Sequence, residues 1–367
     1  MLLSSAVVEG DPVAAARAVA LRHSSDEAPA ITRVRRGTAF RYISSGGKPV
    51  RDASTLSRIR ALAIPPAWTA VWISADPDGH IQATGRDARG RKQYRYHARW
   101  REVRDEAKYF RLVDFCRVLP KLRETVERDL ACAGLCKRKV IATVVALMER
   151  GQLRVGNDEY AKQNGSYGAT TLRDRHATIR GATLELAYRG KSGVHRKLRV
   201  TDRRLASIVR RCRDLPGQRL FQYLEGDEVK SITSTDVNDY LREVTGGPFT
   251  AKDYRTWAAT LGATLLLCSL EAPANQRGCK QCITNVLGAV AERLGHTPSV
   301  CRKSYIHPRV LDDFTTGKLA TQLARQIKRR CRGDIAVSAD AIGVDLLRAI
   351  EPVVMRYLDD TRKRRRA

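Results

Sequence analysis

The hydrophobic period of this chain changes once, near residue 100, and that change limits what it can fold into. From Ile31 to about Tyr96 apolar and polar residues alternate as in half-buried strands. Ile31–Ser44 alternates around Gly37, and Ala70–Ser74 and His80–Thr84 flank the turn Asp76-Pro77-Asp78-Gly79. One helix fits near 53–62. From about Trp100 the period is helical, with Val140, Val144, Leu147 and Met148 on one face. A β interlude follows, Thr183–Tyr188 and Val194–Val200 around the tip Arg189-Gly-Lys-Ser-Gly193. The remainder reads as helices. Thr250 caps one running from Lys252 toward Leu270, and a second fills 281–293 and stops at Gly295. Thr297-Pro298 opens a short one ending near Pro308, and two or three more lead to the basic run Arg362–Arg366. The expected fold is α+β: a leader over 1–30, poorly ordered or loosely helical, a small β-rich domain over 31–100, and a larger, mainly helical domain with a short β-hairpin sheet over 101–367.

Composition narrows the partner. The 367 residues carry 67 Lys and Arg against 39 Asp and Glu, a net charge of +28. Such a surplus repels itself in a compact chain unless a polyanion offsets it, so nucleic acid is the first candidate. A membrane surface is second, and no apolar run reaches the roughly 18 residues of a spanning helix. The N-terminus lacks a basic n-region, and Glu9, Asp11, Asp26 and Glu27 argue against a transit peptide over 11–36. Nine scattered cysteines suit reduced thiols and a cytoplasmic setting. Cys279 and Cys282 have no second close pair to complete a zinc site, since Cys132 and Cys136 are spaced differently and far away. Asp76 and Asp78 sit in a turn, where aspartate serves local hydrogen bonds. No metal, cofactor or small-molecule substrate is expected.

The chemistry concentrates in Leu294-Gly-His-Thr-Pro-Ser-Val-Cys-Arg-Lys-Ser-Tyr305. This stretch resembles the active-site end of type IB DNA topoisomerases of the poxvirus and bacterial kind, where a tyrosine nucleophile follows the histidine by nine residues. Leu153-Arg-Val-Gly-Asn157 is similar to that family's first arginine motif, and Gly190-Lys-Ser-Gly-Val-His195 to its lysine hairpin. Lys252-Asp-Tyr-Arg-Thr-Trp257 is similar to its second arginine motif. Ile64-Pro-Pro-Ala-Trp68 and Gly85–Tyr96 resemble its N-terminal DNA-facing block, so the likeness runs in order over about 31–310. Singly, each residue has a plainer reading: solvated arginines, a soluble hairpin-tip lysine, a histidine capping a helix, a half-buried tyrosine.

Jointly they suit phosphoryl transfer. The transition state spreads charge over phosphoryl oxygens, so catalysis is positioning and electrostatic stabilisation. Arg154 and Arg255 would clamp the non-bridging oxygens with forked hydrogen bonds, and His296 would donate another. Lys191, among arginines, would protonate the departing 5′ oxygen. Tyr305 would attack and form a phosphotyrosyl link that stores the bond's energy without ATP. The resemblance further implies DNA contacts by Arg91, Lys92, Gln93, Tyr94, Tyr96 and Tyr160; a strand would set Tyr94 and Tyr96 on the face of Lys92. Asn157 stands where poxvirus relatives carry a DNA-contacting lysine. His195 and His307 receive no role. The expected activity is relaxation of supercoiled double-stranded DNA through a 3′-phosphotyrosyl intermediate, by a monomer clamping the duplex with a linker near 97–108, nucleoid-associated if the host is a bacterium. The alternative is a site-specific tyrosine recombinase, which shares the constellation. Recombinases usually carry a histidine shortly before the second arginine, where Lys252-Asp-Tyr stands here, and a helical rather than β-rich N-terminal domain.

Overall fold

The structure, a computed structural model, describes residues 12–271, 273, 275–331 and 342–366, with side chains to 360 in the last stretch. Residues 1–11 of the expected leader and the side chains of the Arg362–Arg366 run lie outside the described residues. Two compact units divide between Arg111 and Leu112.

The first unit opens with helix α1 (Pro12–Arg17) and holds strands β1 (Ile31–Arg36) and β2 (Ala39–Ile43), helix α2 (Ala53–Ala61), then β3 (Thr69–Ile73), β4 (Ile81–Arg86) and β5 (Lys92–Tyr96). The strands form one sheet in the order β2-β1-β3-β4-β5, antiparallel at every pair. Asp52 caps α2 by accepting the Thr55 N–H at 2.7 Å. That helix lays Ile59 on the core made by Ile31, Val71, Ile73 and Ala83.

Helix α3 (Ala98–Leu130) occupies the stretch expected as a linker. Its first turns are helical because Trp100 and Val103, three residues apart, bury against Ala15, Ala16, Val19 and Leu21. The leader from Pro12 onward supplies that apolar partner, which no local pattern reveals.

The second unit continues with α4 (Lys137–Gly151), α5 (Asp158–Asn164), a sheet of β6 (Ala177–Arg180), β7 (Thr183–Arg189) and β8 (His195–Thr201), and α6 (Arg203–Arg213). The expected hairpin is β7–β8, with β6 added on its other edge. A second hairpin, β9 (Gln222–Glu225) and β10 (Glu228–Ser231), corrects the all-helical reading of that region. Its strands are too short to show alternation; the signal was Gly226, which takes φ +61° at the turn. Then follow α7 (Ser234–Thr245), α8 (Ala251–Ser269), α9 (Gln276–Leu294), α10 (Pro298–Ser304), α11 (Pro308–Thr315), α12 (Arg325–Arg330) and α13 (Val344–Arg366). Helix α9 starts before the expected residue 281 because Asn275 caps it, accepting the Gly278 N–H at 2.7 Å. Pro308 begins α11 rather than closing α10.

Helix α8 is buried on nearly every side. A polar cluster anchors it. The Glu351 carboxylate accepts two 2.7 Å hydrogen bonds from Arg123 and one of 3.1 Å from Trp257 Nε1. Glu149 takes Arg123 and Arg348, each at 2.7 Å. Helices α4, α8 and α13 and the later turns of α3 thereby share one ion network. Glu351→Ala would leave half-buried Arg123 with Glu149 alone and Trp257 Nε1 without its acceptor, and should cost about 3 kcal/mol in denaturant unfolding. Asp239→Ala, which removes the exposed i,i+3 partner of Arg242, should cost less than about 1 kcal/mol. Equal losses would contradict this account.

Candidate active site

The site forms where α4 and α9 end. Each helix stops at a left-handed residue, Gln152 at φ 51° and Gly295 at φ 62°. Those caps turn the chain sharply and leave the last carbonyls of each helix unpaired within it. Arg154 follows the first cap and His296 the second.

The loop bearing Arg154 is stapled in place. Its carbonyl accepts the Ala169 N–H at 2.8 Å, and the Val155 carbonyl accepts that of Thr170 at 2.7 Å. The two backbones approach so closely that a Cβ on Gly168 would lie 2.6 Å from the Gly156 Cα. The Arg154 guanidinium then reaches the other cap, donating through one Nη to the Gly295 carbonyl and to His296 Nε2, each at 2.9 Å.

Arg255 comes from α8 and is only 4% exposed. It donates to the Gln152 carbonyl and, at 2.6 Å, to that of Leu294. Its guanidinium carbon sits 5.6 Å from the centre of the Tyr305 ring. Its Nε is buried without a hydrogen-bond partner. Leaving a buried, charged donor unsatisfied is costly, so a group that accepts from it gains more than from an exposed one.

Tyr305 ends α10, whose start is set by Thr297 at the N-cap and Pro298 after it. Thr260 Oγ1 of α8 donates to the Tyr305 carbonyl at 3.2 Å and accepts the His307 N–H at 3.2 Å, fixing the backbone. The phenol oxygen lies 2.9 Å from His296 Nε2.

Electrostatics decide the protonation of His296. Burial, then the positive charges of Arg154, Arg255, Lys191 and Arg196, hold it down at about 4. The imidazole is therefore neutral at pH 7. A guanidinium only donates, so Nε2 is the acceptor and the proton sits on Nδ1. The sequence reading gave His296 a donor's part; without DNA it accepts. Its one lone pair faces two donors at 2.9 Å, Arg154 and Tyr305. Burial and then Arg154 also lower Arg255, to about 10.

Lys191 lies in the turn between β7 and β8, exposed, beside Ser192 at φ 62°. Its ammonium has no hydrogen bond or ion pair among the described residues, yet its charge acts on His296. Arg196, in the same hairpin, was missed by the sequence reading. It donates to the Glu292 carbonyl at 3.0 Å and acts electrostatically on Arg154 and His296. One arginine among 67 basic residues gives no local signal.

The expected DNA-contacting residues lie elsewhere and are engaged. Arg91 pairs with Asp87 at 2.7 Å, Lys92 with Asp26 at 2.6 Å, and Gln93 donates to Asp87 at 2.9 Å. Tyr94 and Tyr96 do share a face, stacked at 5.8 Å, and Tyr94 is 40% exposed. Tyr160 of α5 is similarly open. Asn157 caps α5, accepting the Tyr160 N–H at 3.0 Å. Asp76 holds Arg22 and Asp78 holds Arg99, and Cys279 Sγ donates to the Pro273 carbonyl at 3.3 Å. His307 caps α11. Among the described residues no His, Cys, Asp and Glu cluster fits a metal ion, and no helix is long and apolar enough to cross a membrane.

Comparison with known families bears on this cluster. Residues 97–331 match the family model described as eukaryotic DNA topoisomerase I, catalytic core. The chain belongs to the type IB DNA topoisomerases. Residues 39–87 match the model of the bacterial DNA topoisomerase IB N-terminal domain. The topoisomerase is 35% identical to DNA topoisomerase 1B of Acanthamoeba polyphaga mimivirus over 284 residues, 75% of this chain and 84% of the relative. It is 21% identical to DNA topoisomerase 1B of vaccinia virus over 235 residues, 62% of this chain and 70% of the relative. It is a DNA topoisomerase with DNA as substrate, and its α+β architecture accords with the expectation from sequence.

His296 should titrate near pH 4 in the DNA-free enzyme, below the usual 6.5. Arg154→Ala should move that midpoint up, by opening the site and removing a cation. Histidine NMR against pH reads both. Since the folded pKa is depressed, His296 leaves stability intact above pH 6.5 and reduces it as pH falls toward 4. A midpoint near 6.5 would refute the burial and charge argument.

Proposed function

We propose that this topoisomerase relaxes supercoiled duplex DNA without ATP or metal, by cutting one strand through a 3′-phosphotyrosyl intermediate, letting it swivel and resealing it. The observation that carries this is the hydrogen-bonded chain Tyr305–His296–Arg154 beside buried Arg255 with its unsatisfied Nε. In this reading a phosphodiester enters and its non-bridging oxygens take donors from Arg154 and Arg255. That frees His296 Nε2 from one of its two competing donors. The phosphate's negative charge also eases the depression of its pKa, so the ring can take up a proton and donate to the same oxygens.

The transfer itself forms a bond between the Tyr305 oxygen and phosphorus and breaks the bond from phosphorus to O5′. The phenol gives up its proton to solvent water, and Lys191 supplies one to O5′. His296, held down at about 4, is a weak base, so it orients Tyr305 rather than ionising it in the free enzyme. Charge neutralisation by guanidiniums and protonation by lysine cover the tasks a metal would perform. Resealing is the reverse attack by the 5′ hydroxyl.

Outside the site, Arg91, Lys92, Gln93, Tyr94, Tyr96 and Tyr160 are proposed to contact the duplex, the tyrosines by their exposed rings. Arg91 and Lys92 must exchange their carboxylates for phosphates, an exchange of ion pairs that is nearly neutral at the surface. The enzyme is proposed to act as a monomer and, in a bacterial host, at the nucleoid.

Supercoiled plasmid incubated with EDTA and no ATP should relax, whether the supercoils are positive or negative. Strand exchange between specific sites without relaxation would instead point to a recombinase. Tyr305→Phe should abolish relaxation and the covalent adduct trapped by detergent, while binding to duplex DNA stays within about fivefold, since one hydroxyl hydrogen bond is worth about 1 kcal/mol or less. An adduct surviving in that variant would place the nucleophile elsewhere.

A further inference from the structure

We propose that Arg196 is a positioning residue, one that holds the turn bearing Lys191 against the Gly295–His296 cap so that the lysine reaches the leaving oxygen. The proposal rests on the general-acid reading of Lys191.

Arg196 stands five residues after Lys191 on β8 and pairs directly across the hairpin with Tyr188, three residues before the lysine. Its guanidinium crosses from the hairpin to the end of α9. There it donates to the Glu292 carbonyl at 3.0 Å, the carbonyl that also accepts the Gly295 N–H at 3.0 Å. Its charge also acts on the buried Tyr188 hydroxyl across the hairpin. One arginine thus ties the hairpin that bears Lys191 to the turn that presents His296.

The stem of Arg196 is enclosed as closely as its head. A Cβ added to Gly295 would lie 3.3 Å from its Cδ, and one added to Gly190 would lie 3.2 Å from its Cγ. Two glycines from separate motifs, one beside Lys191 and one beside His296, leave the path this side chain takes. At Gly295 the positive φ of 62° already calls for glycine. Gly190 has no such excuse. Its φ of −88° suits any residue, so the steric reason for glycine there is the Arg196 stem.

Placement of a third cation next to Arg154 is electrostatically adverse unless something offsets it. The carbonyl end of α9 does so, since a helix C-terminus favours positive charge. By contrast, Lys191 has no hydrogen bond or ion pair of its own among the described residues. Its location depends on how the hairpin is held. A displacement of about 1 Å at a catalytic group can cost about 100-fold in rate.

The experiment uses full-length enzyme in single-turnover cleavage of two duplexes, one with the ordinary 5′ oxygen at the scissile phosphate and one with 5′ sulfur. A thiolate leaves without a proton, so it bypasses the general acid. Arg196→Ala should slow cleavage of the oxygen substrate by about 10- to 100-fold and leave the sulfur substrate within about threefold of the unaltered enzyme. Arg196→Lys, which keeps the charge but loses the planar guanidinium, should fall between. Gly190→Ala should slow the oxygen substrate in the otherwise unaltered enzyme and add nothing in the Arg196→Ala background, because both changes disturb one contact. Thermal melts confirm that each variant folds.

Equal slowing on oxygen and sulfur would overturn the proposal, because Arg196 would then act on the phosphate or the fold. Undiminished oxygen cleavage by Arg196→Ala would overturn it as well, and so would additive effects of the two changes. Lys191→Ala runs alongside. If sulfur rescues it but not Arg196→Ala, only the positioning role falls; if sulfur rescues neither, the general-acid reading falls and takes this one with it.

Discussion

Three guanidiniums and a lysine gather in a small space, and the structure depends on how their repulsion is offset. Carboxylates are the usual means. They are absent from the partners of Arg154, Arg255 and Arg196, which are instead main-chain carbonyls, of Gly295, Gln152 and Leu294, and Glu292, and for Arg154 also the neutral His296 ring. All four carbonyls belong to the C-terminal caps or last turns of α4 and α9. A helix end supplies partial negative charge in fixed directions without a full countercharge. The arginines are held and oriented, yet their net charge stays unspent for a phosphate. A carboxylate at the same place would neutralise that charge.

The two left-handed caps follow from this. Carbonyls at a helix end can face inward only if the chain turns away at once, which φ 51° at Gln152 and φ 62° at Gly295 achieve. Gln152 does so despite its side chain, and its carbonyl is one of the two that grip Arg255. Strain of about 1 kcal/mol or more at a non-glycine left-handed residue is tolerable where a buried cation is satisfied in return. The ion network on the far side of α8, through Trp257 and Glu351, then locks the helix that delivers Arg255 two residues earlier.

How much of this was legible depended on range. Tyr305, His296 and Arg154 stand beside helix caps whose signals are local: Gly295, the Thr297-Pro298 pair, the glycine after Val155. The order of motifs along the chain was likewise readable. What was not readable was partnership between distant segments. Arg255 looks like a surface arginine in Lys252–Trp257, and only the packing of α8 buries it. Arg91, Lys92 and Gln93 read as free DNA contacts, because Asp26 lies 66 residues before Lys92 and Asp87 carries no mark of its task. Helix α3 read as a linker because its apolar partner, around Ala15 and Leu21, sits in a segment of weak pattern.

Two kinds of cation therefore serve one net charge of +28. Arg91 and Lys92 are paired with carboxylates, so their charge is cancelled locally. Those of the active site are paired with carbonyls, so their charge is undiminished and felt at once by neighbouring groups. His296 reports the difference, since three arginines and Lys191 depress it where burial alone would do less. Selectivity for a phosphodiester over a chance anion then need not come from charge alone. In the proposed mechanism, an anion with several oxygens would satisfy Arg255 Nε, relieve the crowded lone pair of His296 and present a phosphorus to Tyr305. The same geometry explains why the lysine is kept apart on an open turn. Held among the carbonyls it would be spent as a structural cation, whereas exposed and ungripped it would be available for the proton transfer proposed for it.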